Sequence, residues 1–261
     1  MKKLILVVMM FCVGIISWVA YSQDPVLDKI EQPALETDIR QNDKNAEALV
    51  WLIRRAINSK QIDVAYATLD KMRHEQPNNP VVLSAYAMAH DAPIYQVHKK
   101  SGEIRKRTNA EDRAYEVALD QAMKIDPQLW LPYTLKGFKM GYATVPNFSE
   151  GLDLLHKAVL LAPESAFARK QFAQILEQAA INNGKWKGKI VTHKQAVAEY
   201  EIAHKLNPDS SDIAYAIFSI YDIDLKDREH ATQAKRAFLK TLPPGYKLSK
   251  FVQGRLARYP D

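Results

Sequence analysis

Residues 45 to 77 read NAEALVWLIRRAINSKQIDVAYATLDKMRHEQP, and this stretch decides the fold. It contains two segments in which apolar residues recur every three or four positions, the spacing of one face of a helix. Small Ala65 stands where a second helix can approach the first closely, and Pro77 follows the second segment. The stretch therefore predicts a pair of packed helices that ends in a turn.

The ending of this stretch recurs along the chain. A residue of the packed face is followed five positions later by proline at Met72 to Pro77, Ala122 to Pro127, Ala158 to Pro163, Ala203 to Pro208 and Phe238 to Pro243. The intervals fit a unit of about 34 to 36 residues with two insertions, which is typical of stacked helix pairs. Asn79 and the run Asp209-Ser210-Ser211 place N-cap side chains where new helices should begin. Since one pair cannot bury its own apolar face, the pairs should stack into a curved array with a concave side.

The pattern resembles the tetratricopeptide repeat (TPR) family. The first unit matches the family's order of large, small and proline positions without a gap, at Leu49, Leu52, Ile53, Ala56, Ala65, Leu69, Met72 and Pro77. The third and fifth units match in part, and the second and fourth are split by the insertions. The resemblance covers residues 45 to 243 and implies an all-α, TPR-like right-handed superhelix of about five helix pairs.

The N-terminus predicts export or membrane attachment. Lys2 and Lys3 precede an uncharged apolar run from Leu4 to Ala20. The run is long for a signal peptide and short for a spanning helix, so both interpretations fit. In either case the lysines hold the start in the cytoplasm, and the remaining chain faces the periplasmic side of the cell envelope.

Composition divides the chain into four segments. Residues 1–22 form the signal peptide or transmembrane anchor, and residues 23–44, rich in Asp and Glu, form an acidic spacer. Residues 45–243 hold the helical repeats, and residues 244–261 form a basic C-terminal tail.

Signatures of catalysis are absent from the sequence. Cys12 is the one cysteine and lies in the apolar run, and no nucleotide-binding, zinc or nucleophile motif is present. We therefore expect no enzyme activity, no cofactor and no metal. The remote alternative is a cell-wall-acting enzyme that uses the carboxylates of Glu177 and Asp222.

Both insertions are basic. The first carries Lys99, Lys100, Arg105, Lys106 and Arg107, and the second carries Lys185, Lys187, Lys189 and Lys194. Contact with anionic lipid headgroups or an acidic partner is the functional interpretation, and solvated surface is the alternative. We expect no nucleic acid, because an exported protein seldom meets it.

The resemblance also implies a partner-binding face. In the family, ligand-facing residues project from the first helix of each pair between its packing positions. The matching positions here are Arg54, Asn58, Ser84, Met88, Thr134, Phe138, Tyr142, Lys170, Gln174, Tyr215 and Ser219. Such a lining suits an extended peptide or an amphipathic helix. The alternative is that the insertions or the spacer fill this groove, or that these residues belong to the core.

Together these features predict a protein–protein interaction scaffold in the cell envelope. It would bind a peptide segment or partner protein in the concave groove, for the assembly or quality control of an envelope complex. The nearest functional analogues in the family are assembly factors of the kind that serve c-type cytochrome maturation. The alternative is a structural subunit of a secretion, pilus or cell-wall machine.

Overall fold

The structure is a computed structural model, and it describes residues 32–58, 61–91, 109–143 and 145–259. Within these residues the body is all-helical. In chain order the helices are α1 (Gln32–Gln41), α2 (Ala46–Asn58), α3 (Ile62–Glu75), α4 (Pro80–Asp91), α5 (Asn109–Ile125), α6 (Trp130–Gly141), α7 (Phe148–Leu161), α8 (Ala166–Ile181), α9 (His193–Leu206), α10 (Ser211–Ser219), α11 (Arg228–Lys240) and α12 (Lys250–Leu256). A π-helical turn, Ile220–Asp224, extends α10, and an antiparallel hairpin of β1 (Lys185–Trp186) and β2 (Lys189–Ile190) joins α8 to α9.

Five helix pairs form the array. They are α2 with α3, α4 with α5, α6 with α7, α8 with α9, and α10 with α11, and each pair packs against the next. Their boundaries fall in the five repeat units of the sequence. The predicted all-α array of five helix pairs is therefore confirmed, while membership of the TPR family and the handedness of the superhelix stay predictions.

Of the two predicted N-cap sites, Asn79 caps its helix and Ser210 does not. Asn79 Oδ1 accepts hydrogen bonds from the backbone N–H groups of Val81 and Val82, at 3.0 and 3.2 Å. Ser210 occupies the N-cap position of α10, but its hydroxyl donates to the Asp212 carboxylate and caps no backbone N–H. The Ser210 side chain therefore binds Asp212 and does not cap α10.

Two glycines let the helices of the third pair approach each other closely. A Cβ added to Gly137 in α6 would lie 2.6 Å from the carbonyl oxygen of Gly151 in α7, and one added to Gly151 would lie 2.9 Å from the Gly137 oxygen. Ala65 and Ala196, the other small residues predicted at such positions, are fully buried. The small residues therefore set the separation of the paired helices.

The buried apolar residues form two clusters. One joins α1 to the first two pairs and includes Leu131 and Leu135 of α6 and Phe167 of α8, and the other joins α7 and the last two pairs to α12. Trp130, at the start of α6, packs against both clusters. The array is therefore continuous across the middle pair.

The segment predicted as an acidic spacer contains a helix. Residues 32–41 form α1, and its Leu35 and Ile39 side chains are fully buried against the first pair. The cause is an apolar pair at i and i+4, which gives α1 one packing stripe despite its acidic residues. The Arg40 guanidinium also donates to the Glu75 carboxylate on α3 at 3.0 Å.

The predicted tail and the second insertion are also ordered where the structure describes them. In the tail, α12 buries Val252 and Leu256 against the last pair. In the insertion, Lys187 and Gly188 both have positive φ, 50° and 76°, as a two-residue type I′ hairpin turn requires. The second basic insertion therefore contains a β-hairpin, which the sequence does not predict.

The predicted N-terminal signal or anchor and the first basic insertion lie outside the described residues. Among the helices that the structure does describe, none is both long and apolar enough to cross a membrane.

Candidate functional site

The structure places the predicted partner-binding residues in three different environments. Ser84, Met88, Thr134, Lys170 and Tyr215 are buried. Arg54, Phe138, Gln174 and Ser219 are half-buried, Tyr142 is 40% exposed, and the side chain of Asn58 lies outside the described part of the chain. These residues do not line one continuous open groove, because the first helices pack too closely along the inner face of the array.

Asp212 binds two of the predicted site residues, Arg54 and Lys170. The sequence did not suggest Asp212 itself as a site residue. Its carboxylate accepts from the Arg54 guanidinium on α2 at 2.7 Å and from the Lys170 ammonium on α8. Burial alone would raise the pKa of Asp212, but the charges of Lys170 and Arg54 hold it far below its usual range. This cluster, the Asp212 latch, links the first, fourth and fifth pairs.

A second contact brings the first and fourth pairs together. The Ser165 hydroxyl donates to Glu47 Oε2 at 2.6 Å, and the Trp51 indole N–H donates to Glu47 Oε1 at 2.9 Å. The Trp51 ring meets Phe167 edge to face, with centroids 6.4 Å apart. In a simple solenoid each repeat contacts only its neighbours. Here the array closes on itself.

Closure leaves a cleft of about 770 Å³ beside the latch. One wall comes from α1 and α2, and the other comes from the α9–α10 turn and the end of α11. The lining residues are Asp38, Asn42, Ala48, Trp51, Leu52, Arg54, Arg55, Asn207, Asp209, Ser210, Lys240, Thr241, Leu242 and Pro243. This volume lies within the range of ligand-binding pockets.

The cleft lining is suited to peptide binding. The side-chain amides of Asn42 and Asn207 can donate to and accept from a peptide backbone, and Leu52 and Leu242 offer apolar contact. Trp51 adds an aromatic surface that is partly exposed. Arg54 is already paired with Asp212, so the remaining charges of the lining, Arg55 and Lys240 against Asp38 and Asp209, are balanced and set no charge preference for the ligand.

Phe138 and Tyr142 lie in the middle pair, at the C-terminal end of α6, and neither lines the cleft. Their rings pack together with centroids 4.7 Å apart, and Tyr142 ends the first helix of the third pair. The two residues are therefore an apolar surface separate from the cleft.

Glu177, one of the two carboxylates considered for catalysis, is half-buried beside Tyr200. Its Oε2 accepts from the Tyr200 hydroxyl at 3.0 Å. Burial raises the pKa of Glu177 to about 7, although the Tyr200 hydrogen bond opposes the shift. The carboxyl group therefore sits in the helix interface as a partly neutral group.

Asp222, the second carboxylate, holds the C-terminal helix. The Arg255 guanidinium binds it through two nitrogens, at 2.8 and 2.7 Å, and the Tyr259 hydroxyl donates to it at 2.6 Å. Arg255 also donates to the Tyr215 and Ser219 hydroxyl oxygens, at 2.7 and 3.3 Å. These two predicted partner-binding residues therefore help to fix α12. In the described part of the chain, no three His, Asp or Glu side chains form a metal-binding group.

The contacts that close the array were missed by sequence reasoning. Asp212 is in the first turn of a helix, where an acidic residue is expected to interact with the helix dipole. Glu47 occupies a similar position in α2. Nothing in either local sequence indicates a partner in a distant repeat.

No family model matches the chain, and no curated protein is similar to it. A solved structure titled "MamA RS-1 ArsTM double mutant" is similar, with a TM-score of 0.45, 14% sequence identity and coverage of 76% of this chain and 94% of that chain. Because this likeness is distant, the site is interpreted from its own geometry.

Proposed function

We propose that this chain is a protein-binding scaffold that holds a short peptide segment of a partner in the cleft beside the Asp212 latch. The observation that carries the proposal is the cleft itself, whose walls come from the two ends of the repeat array. Its side-chain amides and apolar side chains fit an extended peptide. We infer that the protein acts by binding and not by catalysis.

Photo-crosslinking from inside the cleft tests this proposal. A benzoylphenylalanine in place of Thr241, on the cleft wall, is expected to capture a defined partner in the native cell. The same group in place of Leu160, which is 68% exposed on α7, is the matched control and should not capture it. Ala48→Trp, which fills the cleft, should remove the adduct while the protein stays folded.

The surface formed by Phe138 and Tyr142 is tested by a separate variant. Phe138→Ala/Tyr142→Ala removes that surface and leaves the cleft lining intact. If this double variant loses the partner and Ala48→Trp keeps it, the binding site is at Phe138 and Tyr142 and the cleft assignment is wrong.

We further propose that the scaffold works in the cell envelope, on the periplasmic side, in the assembly or quality control of an envelope complex. The support is the apolar run after Lys2 and Lys3, which fits a signal peptide or a membrane anchor. Fractionation of cells that express the full-length chain tests this part separately. Recovery in the envelope fraction is expected, and recovery in the cytosol contradicts it.

A further inference from the structure

The two edges of the array differ in their exposed side chains. The turns that lead from one pair to the next hold Asp126, Glu164 and Asp209. At the opposite edge, the first helices of the last three pairs turn back into the second helices of the same pairs. We name this edge, where the two helices of a pair are connected, the hairpin edge. Its exposed apolar residues are Tyr142, Val145, Ile181, Ile190 and Ile223.

The hairpin edge also carries exposed lysines. Lys185, Lys187 and Lys189 project from the hairpin, and Lys194 and Lys226 follow at the same edge. Within the described residues, none of these five lysines forms a salt bridge. Because their charges are not neutralised by the protein, they are available to an anionic surface.

The hairpin is fixed to the body through Trp186. The indole N–H donates to Asp153 Oδ1 on α7 at 2.8 Å, and the ring meets His156 and Phe172 with centroids 5.3 and 5.5 Å away. Gly184 is close to the body as well, since a Cβ there would lie 2.9 Å from the Phe148 ring. The hairpin lysines are therefore presented in a defined position.

Apolar and basic side chains alternate in this surface. In the strand register Lys185 pairs with Ile190, which is 58% exposed, so a cation and an apolar side chain share one face of the hairpin. Val145, in the neighbouring turn, is 86% exposed. The exposed apolar residues are distributed over the connections within the last three pairs, with Tyr142 and Val145 in the first, Ile181 and Ile190 in the second and Ile223 in the third.

We propose that the hairpin edge docks onto an anionic membrane surface. Lysines would contact lipid phosphates, and Ile190 and Val145 would reach the boundary of the acyl chains. Charge complementarity between the exposed lysines and anionic lipids supports the contact with phosphates. The exposed apolar residues of the same edge support the contact with acyl chains. The surface lies opposite the turns that line the cleft, so this inference does not rest on the proposed binding function.

A fluorescent probe on the full-length chain tests the docking. In a Cys12→Ser background, Ile190→Cys carries an environment-sensitive fluorophore, and Glu164→Cys on the opposite edge carries the same fluorophore as the control. Each protein is reconstituted into vesicles of phosphatidylcholine alone or with phosphatidylglycerol. With phosphatidylglycerol, the probe at 190 should shift to the blue and be quenched by brominated acyl chains, and the probe at 164 should do neither.

Charge dependence completes the test. Lys185→Gln/Lys187→Gln/Lys189→Gln should abolish the shift at 190, with circular dichroism showing an unchanged helix content. The proposal is overturned if the probe at 190 stays in water, if both probes respond equally, or if the triple variant behaves like the parent. It is also overturned if a poly-glutamate peptide shifts the probe at 190 and phosphatidylglycerol does not, because the partner is then an acidic protein segment.

Discussion

Asp212 receives charged hydrogen bonds from two helices that are distant in the chain, and Arg54 and Asp212 are 158 positions apart in the sequence. Its side chain is 10% exposed, so both ion pairs are largely removed from water. A pair in this setting contributes mainly by compensating charges that would otherwise be buried alone. The consequence of breaking it is therefore larger than that of losing a surface ion pair.

Asp212→Asn keeps the shape of the side chain and removes the compensating charge. We expect it to lower the free energy of unfolding by about 3 kcal/mol, since Arg54 and Lys170 are left facing an amide. Chemical denaturation at pH 7 measures the change. Asp209→Asn, an exposed carboxylate in the adjacent turn, is the control and should change the stability by less than about 0.5 kcal/mol.

The pH dependence of the latch follows from the depressed pKa of Asp212. A carboxylate of this kind adds stability at any pH above its unfolded value of about 3.9 and loses it only as the pH falls toward the folded value. The difference between the wild type and Asp212→Asn should therefore stay constant from pH 5 to pH 8. A difference that disappears within this range would contradict the assignment.

Glu177 makes the stability of the fold depend on pH in the opposite direction. Its pKa is raised to about 7 in the folded chain, so the folded state binds its proton more tightly than the unfolded state, whose value is about 4.3. Stability is therefore lost as the pH rises from about 4.3 to 7 and is constant above that. Glu177→Gln, which can still accept from Tyr200, should stabilise the protein at pH 8 by up to about 3 kcal/mol.

Unfolding curves at two pH values check this expectation. The stabilisation by Glu177→Gln should shrink as the pH is lowered to 5, where the wild-type carboxyl group is already protonated in the fold. An equal gain at both pH values would mean that the carboxyl group does not titrate in the folded interior.

At the scale of elements, the crossing of α6 and α7 depends on Gly137. We expect Gly137→Ala to destabilise the protein by about 1 to 3 kcal/mol, because its Cβ would meet the backbone oxygen of Gly151. That cost exceeds the gain of about 1 kcal/mol in helix propensity. Gly254→Ala in α12 is the matched control, since a Cβ there meets nothing within 4 Å. It should raise the melting temperature, whereas Gly137→Ala should lower it.

The repeat helices could be predicted from the sequence because their signals are local. Apolar spacing, small residues and proline lie within each unit of the pattern. The helix α1 was missed because the acidic composition of its segment hid the short apolar pair Leu35 and Ile39. The hairpin was missed because its turn, Lys187-Gly188, requires a positive φ at a lysine, which composition does not suggest.

At the scale of the whole molecule, the candidate site could be predicted only in part. The resemblance placed Arg54 and Lys170 on the inner face, and the structure puts both in the Asp212 latch. It could not indicate that the array closes, because a contact between the first and fifth pairs leaves no periodic signal in the sequence. The buried Ser84 and Thr134 satisfy their hydroxyls within their own helices, by donating to the Pro80 and Trp130 carbonyl oxygens.

The cleft exists only if the array closes on itself. The distance between the two walls of the cleft tests this closure most directly. Spin labels at Gln41→Cys in α1 and Lys240→Cys in α11, in a Cys12→Ser background, report that distance by pulsed electron paramagnetic resonance. Labels at Val117→Cys and Leu160→Cys, exposed on neighbouring second helices, form the control pair. We predict one narrow distribution for each pair, with only the first becoming longer and broader in Asp212→Asn. A first distribution that is already broad in the otherwise native chain, or that Asp212→Asn leaves unchanged, would contradict closure by the latch.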